Sequence, residues 1–589
     1  MKNIIITLLA AGLISTAFTQ CARPVEPQGG AKDTIAPIAI RSVPAQFSKN
    51  MSEKKLEILF NEYITLKELQ KNFYMTPAME VNPTIRDLGK KLQITFEKPL
   101  NPNTTYALNF GNAIVDVNEN NPINDFTYIF STGNQLDTLK LNGVVYDAKT
   151  MQPVPNALIF LYENDSLETP LKHKPDAISR SDKNGIFIAN TLKNKQYKII
   201  AIKDANRNYL FDPGFDEIAF DTSLFGPVSI SQRVDSIPDS LWKASLLPQV
   251  KLKMFAEQKK QQFLTGKGRA ERYKFSLYFN APNPEIKKLE IKGFNFEDLI
   301  INPDVESDTI NYWFKDATRV IPDTLVGSIT YMKTDSTGTP VEVSEKLSIE
   351  LPLSKINIHK DKKKGKDEIH VEKTPSITPI FDAPDGTVNS EGKLFLRNST
   401  PLISMDTSRI TLYHIDDNDK ISKIPCSIKE VPNKLSTYEI RSDWQEDSKY
   451  KIVVDSNVLV NIQHYTNDSI GYNFTTSNAA KYGTFILDFS DVKAPLVVQI
   501  LDSKYKIVRE KVVTKNGKVN FPYIKPDKYY IRIIEDKNEN KKWDTGEYLQ
   551  QLQPERVAYL TKENEKMFLI RAGWENELSI NVSEVFSNY

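Results

Sequence analysis

Two stretches decide how this chain is built: Tyr197-Lys-Ile-Ile-Ala-Ile-Lys-Asp204-Ala-Asn206-Arg-Asn208 and Tyr529-Tyr-Ile-Arg-Ile-Ile-Glu-Asp536-Lys-Asn538-Glu-Asn540. Each is a short apolar run that ends in alternating Asp and Asn. The run fits a strand and the polar tail fits a turn-rich loop. The likeness extends outward without a gap. Gly185, Leu192, Tyr197, Asp204, Asn206, Asn208, Asp212 and Gly214 recur as Gly517, Ile524, Tyr529, Asp536, Asn538, Asn540, Asp544 and Gly546, always 332 residues later. A second echo has an offset of 344. Tyr106, Tyr128, Phe130 and Thr132 return as Tyr450, Tyr472, Phe474 and Thr476. Two neighbouring units have therefore been duplicated in order, A then B and later A′ then B′.

Around these echoes the pattern has period two. Leu56-Glu-Ile58-Leu-Phe60, Leu92-Gln-Ile94-Thr-Phe96 and Tyr106-Ala-Leu108-Asn-Phe110 place alternate residues on one face. Short runs closed by Asn, Asp, Gly and Pro predict an all-β fold of tandem β-sandwich modules in an elongated chain. Helices are expected only over residues 66–73 and 254–264. The boundaries read as 1–20 signal peptide, 21–33 tether, 34–133 module A, 134–250 module B, 251–355 a further sandwich C, 356–375 charged linker, 376–478 A′ and 479–589 B′. The linker contains Lys-Asp-Lys-Lys-Lys-Gly-Lys-Asp-Glu at 360–368, too charged to form a core.

Composition narrows function. The 589 residues carry 76 Lys plus Arg against 75 Asp plus Glu, a net charge of +1. No bulk field favours nucleic acid, and none is expected as a partner. Only Cys21 and Cys426 are present, which excludes a disulfide framework and Cys-rich zinc modules. Residues 4–18 form an apolar run too short for a comfortable bilayer span but right for a signal peptide. Cys21 follows it directly.

That placement resembles the lipobox of Bacteroidetes-type lipoproteins, although Gln20 stands where Gly or Ala is usual. The resemblance implies lipidation at Cys21, a membrane partner through the N-terminal lipid, and residence at the outer membrane, on the periplasmic face or the cell surface. Module A resembles the bacterial Ig-like domain in Gly29-Gly-Ala-Lys-Asp33-Thr-Ile-Ala-Pro37, Ser42-Val-Pro44, Phe60-Asn-Glu62-Tyr63-Ile64 with Leu66, and Phe130-Ser-Thr132-Gly133. Module B is similar to the transthyretin-like (carboxypeptidase-regulatory-like) sandwich in Gly143-x-Val145-x-Asp147, Pro153-Val-Pro155-Asn-Ala157 and Ser181-Asp182-x-Asn184-Gly185-x-Phe187. Neither family implies a reaction.

Candidate chemistry is confined to the two loops. Asp204, Asn206, Asn208, Asp212 and Asp216 form one oxygen-rich set, and Asp536, Asn538, Asn540, Asp544 and Glu547 the other. Positions 1, 3, 5 and 9 with a carboxylate near 12 follow the order of a Ca²⁺ loop. Position 6, a glycine in that loop type, is Tyr209 or Lys541. The other reading is a β-turn loop whose Asp and Asn side chains satisfy their own backbone. No other cofactor is expected. The five His (173, 359, 370, 414, 464) form no metal-ligand spacing, and neither a nucleophile elbow nor a phosphate loop occurs. Cys426 reads as a small buried hydrophobe. The expectation is a non-enzymatic lipoprotein that binds or scaffolds, as accessory subunit of an outer-membrane protein or envelope complex. Its rivals are a surface adhesin or glycan-binding lipoprotein and a cryptic hydrolase.

Overall fold

The computed structural model describes residues 32–230, 242–243, 245–304, 306–335, 338–352, 376–383, 387–388, 392–432, 434–563 and 565–587. Cys21, the leader, and nearly all of the tether and charged linker lie outside them. The described chain is all-β, in tandem modules. No helix among the described residues is long and apolar enough to cross a membrane.

Modules A and A′ share one topology. In A, strands run in the order Ala39–Val43, Lys55–Phe60, Lys91–Thr95, Thr84–Leu88. In A′ the order Ile380–Asp382, Leu394–Arg397, Thr437–Arg441, Ser427–Glu430 repeats it. The echoed residues explain themselves here. Tyr106 stacks on Phe130 at 5.5 Å and Tyr450 on Phe474 at 5.5 Å. The Tyr106 hydroxyl accepts from Asn101 N at 2.8 Å, and that of Tyr450 from Gln445 N at 2.8 Å. Thr132 Oγ1 donates to Asn101 O and accepts from Thr104 N; Thr476 does the same with Gln445 O and Ser448 N. A buried aromatic pair plus a hydroxyl clamp fixes one corner of each sandwich. The alternate residues Leu56, Ile58, Phe60, Leu92 and Ile94 point into the core of A.

Modules B and B′ share a second topology. Each opens with a strand (Leu139–Asp147, Gly483–Ser490) that pairs antiparallel with Ile186–Leu192 or Gly517–Ile524. On its other side the same strand pairs in parallel with the module's last strand, Val250–Ala256 or Glu575–Asn581. Leu158–Tyr162 and Leu496–Leu501 lie beside Lys198–Lys203 and Asp527–Glu535. In B, Glu217–Phe220 also bonds to Val250–Ala256, so seven strands form one curled sheet. Its two outer strands meet where Ser179 Oγ donates to Ile188 O at 2.9 Å. Among the described residues B′ shows no such joint and holds two sheets, of three and five strands.

The B motifs are turn hardware. Asp147 accepts from Lys149 N and Thr150 N, Ser181 Oγ bridges Val154 O and Ala157 N, and Asp182 accepts from Asn184 N and Ile186 N. Gly185 has φ 74°, and a Cβ there would stand 2.4 Å from Val145 O, so no other residue fits.

Module C packs Leu264–Glu271, Lys274–Phe279, Thr309–Phe314 and Leu299–Pro303 against Ile286–Ile291, Thr324–Thr334 and Pro340–Glu350. Its core includes Phe275, Tyr312, Ile329 and Tyr331.

Three expectations need correction. The helix at 66–73 shrinks to the single turn Leu69–Asn72, because Ile64–Leu66 pairs with Ile114–Asp116. The helix at 254–264 does not exist. Val250–Ala256 is the closing strand of B, with Val250, Leu252 and Met254 buried on one face, and Leu264–Glu271 is a strand of C. Module B therefore runs to residue 256, not 250. The modules follow one another in tandem, and B′ also folds back onto B.

Candidate functional site

The fold-back has a cause in the strands. Leu158–Tyr162 and Lys198–Lys203 are apolar on both faces. Ile159, Leu161, Ile199 and Ala201 fill the interior of B, while Phe160, Tyr162, Ile200 and Ile202 form a second apolar face outside it. Such a face must be covered. Part of the cover is Tyr548 of B′, which is fully buried, edge-on to Phe211 at 5.4 Å and to Phe220 at 5.2 Å. Lys198 Nζ stands 5.3 Å from the centre of its ring. Trp543 joins the same apolar face and a second cluster with Met151, Val497, Ile534 and Val557.

Polar contacts frame this junction. Tyr548 N donates to Glu257 Oε1 at 2.6 Å, Thr545 Oγ1 to Ala256 O at 2.6 Å, Gln553 Nε2 to Phe220 O at 2.9 Å and Gln152 Nε2 to Tyr505 Oη at 2.8 Å. Gly546 allows the approach, since a Cβ there would lie 2.7 Å from the Phe255 ring. Burial pushes Glu257 above the usual carboxylate range.

The hairpin that carries Tyr548 begins with the second Asp/Asn loop. The two loops are near copies. Asp204 accepts from Arg207 N (2.6 Å) and Tyr209 N (2.9 Å), while Asp536 accepts from Asn540 N (3.1 Å) and Lys541 N (2.8 Å). Asn206 and Asn208 both donate side-chain amides to Asp212 Oδ2, at 2.6 and 2.9 Å. Asn538 and Asn540 do so to Asp544 Oδ2, each at 2.7 Å. Backbone φ is 61° and 60° at Arg207 and Tyr209, and 63° and 64° at Glu539 and Lys541. The missing glycine at position 6 does not stop the sharp turn. Tyr209 and Lys541 take the left-handed conformation because their N–H groups are held by a carboxylate.

The final carboxylate is where sequence spacing misleads. Asp216 accepts from Ala205 N at 3.2 Å and Asp212 N at 3.0 Å. In the second loop the same two donors, Lys537 N and Asp544 N, reach Glu555 at 2.8 and 3.0 Å. Glu547 stands outside the loop: its backbone pairs with Leu552 and its carboxylate bonds Lys260 at 2.5 Å. Glu555 was missed because it arrives from the far side of the hairpin, eleven residues beyond Asp544. Burial raises both Asp204 and Glu555 above the ordinary carboxylate range. Among the described residues no group of three or more His, Cys, Asp or Glu is arranged to hold a metal ion. The oxygens that would serve a cation are engaged with the loops' own N–H groups.

Cys426 is half-buried against the A′ core, and burial raises its thiol. Of the tryptophans, Trp543 sits at the B–B′ junction and Trp313 packs on Ile462 where C meets A′.

A family model described as a bacterial Ig-like domain matches residues 33–132, which is module A. No curated protein sequence matches the chain. Among solved structures, the S-layer protein rSbsC is similar at 10% identity over 91% of this chain and 68% of that one, with a TM-score of 0.15. The Bacillus anthracis TIE protein is similar at 12% identity over 94% and 76%, with a TM-score of 0.13. A Bacteroides ovatus protein, SGBP-B of a mixed-linkage glucan utilization locus, solved with a mixed-linkage heptasaccharide, is similar at 8% identity over 75% and 96%, with a TM-score of 0.17. These low scores carry no argument about arrangement or role.

Proposed function

We propose that this chain is a non-catalytic binding or scaffolding protein, held at the outer membrane by a lipid on Cys21 and serving as an accessory subunit of an envelope complex. The observation that carries the reading is the use made of the one chemically dense motif. Both copies of the Asp/Asn loop spend their side chains on shaping a hairpin, and the second hairpin clasps module B through Tyr548. Side chains committed to holding modules together favour an architectural task over a reaction. The transthyretin-like reading of B and B′ belongs with this proposal, and so does the absence of a required cofactor.

The test is recovery of the tagged full chain from detergent-solubilised membranes. Stoichiometric co-recovery of an outer-membrane protein supports the reading. Metabolic labelling with a fatty-acid analogue tests the anchor: label on the wild type and none on Cys21→Ser is expected. A freely soluble, unlabelled protein that brings no partner would refute it.

A further inference from the structure

Modules A and B are joined edge to edge. Thr76 Oγ1 donates to Ile178 O at 3.1 Å and accepts from Ile178 N at 3.0 Å, both in buried surroundings. Lys174 Nζ donates to Met79 O at 2.9 Å. Beside this seam lie two depressions of about 690 and 620 Å³ that share Asn72, Asn156 and Arg180, so they form one groove with Arg180 at its middle.

Most charges along the groove have a partner; Lys140 lies over the Trp242 ring at 5.9 Å, and Lys183 lines the larger depression. Asp125 pairs with Lys243 at 3.3 Å, Glu217 with Lys203 at 2.6 Å, and Glu68 with Lys71. Asp182 and Asp204 are taken up by N–H groups of their own turns. Arg180 is different. Its guanidinium lies over the Tyr74 ring at 5.3 Å, and its Nε is buried with no hydrogen-bond partner among the described residues. Arg207 lines the same groove and acts on Arg180 as a like charge. Arg180 and Arg207, with Lys140 and Lys183 also lining the groove, leave it an excess of positive charge, which favours an anion there.

The rest of the lining is amide and aromatic. Asn112, Asn124 and Asn190 contribute side chains in the larger depression, with Trp242 at the same wall. Amides give and accept hydrogen bonds equally, which suits hydroxyl groups, and aromatic faces suit the C–H faces of a sugar ring. We propose that the A–B groove binds an acidic oligosaccharide, with a uronate carboxylate on Arg180 and ring hydroxyls on the asparagines. The proposal rests on the binding role above and deepens it. The two fail separately, because membrane co-recovery does not require the groove.

The experiment is calorimetry on the full chain with tetragalacturonate, with maltotetraose as the neutral sugar and a tetraglutamate peptide as the plain polyanion. Binding of the uronate alone is expected, weakened at least tenfold by Arg180→Gln and less by Arg180→Lys. Because Arg180 also rests on Tyr74, a second variant is needed. Asn112→Ala with Asn124→Ala, both on the exposed wall, is expected to weaken binding several-fold with an unchanged melting temperature. No heat at millimolar uronate would overturn the proposal. So would equal binding of maltotetraose or the peptide, or uronate binding indifferent to both variants.

Discussion

Modules B and B′ have the same strands in the same pairing, yet they close differently. In B a short strand, Glu217–Phe220, knits the first and last parts of the sheet together; in B′ its counterpart, Val557–Tyr559, pairs among the described residues with Asp527–Glu535 alone. B also presents an outer apolar face, and B′ supplies the hairpin that covers it. The duplication therefore produced two partners with unequal parts. One became a platform and the other a clasp, while the loop beneath the clasp kept its geometry in both.

The sharpest way to break that division of labour is Tyr548→Ala. Losing a fully buried aromatic side chain and leaving a cavity costs about 3–5 kcal/mol. B and B′ should then melt as separate transitions in a calorimetric scan, where the wild type is expected to melt them together. Tyr548→Phe should behave oppositely. The Tyr548 hydroxyl is buried without a hydrogen-bond partner among the described residues, so its removal should leave stability unchanged or slightly raised.

Next in size come the loop carboxylates. If Asp216 and Glu555 do the same work, Asp216→Ala and Glu555→Ala should each cost about 1–3 kcal/mol, since each strands two backbone N–H groups. Glu547→Ala should cost less, because its carboxylate holds no loop N–H and its ion-pair partner, Lys260, is 60% exposed. Equal losses at Glu547 and Glu555 in urea unfolding would refute the correspondence.

A smaller effect should appear with pH. Asp204 and Glu555 have folded pKa values raised by burial. In the folded state they take up protons before they do unfolded. The penalty for their charge is fully present above the folded pKa, and it is relieved as pH falls through that value toward the ordinary carboxylate range. Glu535 runs the other way: Arg556 lowers it, and that stabilisation is lost as pH falls through its folded pKa. Urea midpoints measured across the mildly acidic range should therefore rise on acidification in Glu535→Gln more than in wild type. The smallest expected change is with calcium. Both loops already satisfy themselves, so millimolar Ca²⁺ should shift the full chain's melting temperature by less than about one degree. A larger shift, abolished by Asp544→Asn but not Asp212→Asn, would separate the loops chemically.

Much of this was readable from residues alone. Period-two alternation located strands Lys55–Phe60 and Lys91–Thr95 of A because each buries one face, and the eight-residue register placed both loops. The end of strand Val250–Ala256 was misread as the start of a helix over 254–264, because Met254-Phe-Ala256 runs straight into Glu257-Gln-Lys-Lys-Gln-Gln262, which has the composition of a surface helix. Glu555 was invisible because a carboxylate brought in from the opposite side of a hairpin has no fixed spacing. The B–B′ contact did leave a signal. Leu-Ile-Phe-Leu-Tyr at 158–162 and Lys-Ile-Ile-Ala-Ile-Lys at 198–203 lack the polar alternation of a strand with one wet face. What covers that extra face is a matter of tertiary structure, and no local pattern names it.

The parallel pairing of first and last strands in module B has a mechanical meaning. The chain enters along Leu139–Asp147 at one end of that pair and leaves along Val250–Ala256 at the other. A pull applied between module A and module C therefore drags the two strands past one another lengthwise. All five rungs from Gly143–Val250 to Asp147–Met254 bear the load together, where a hairpin pulled from its open end would surrender them one at a time.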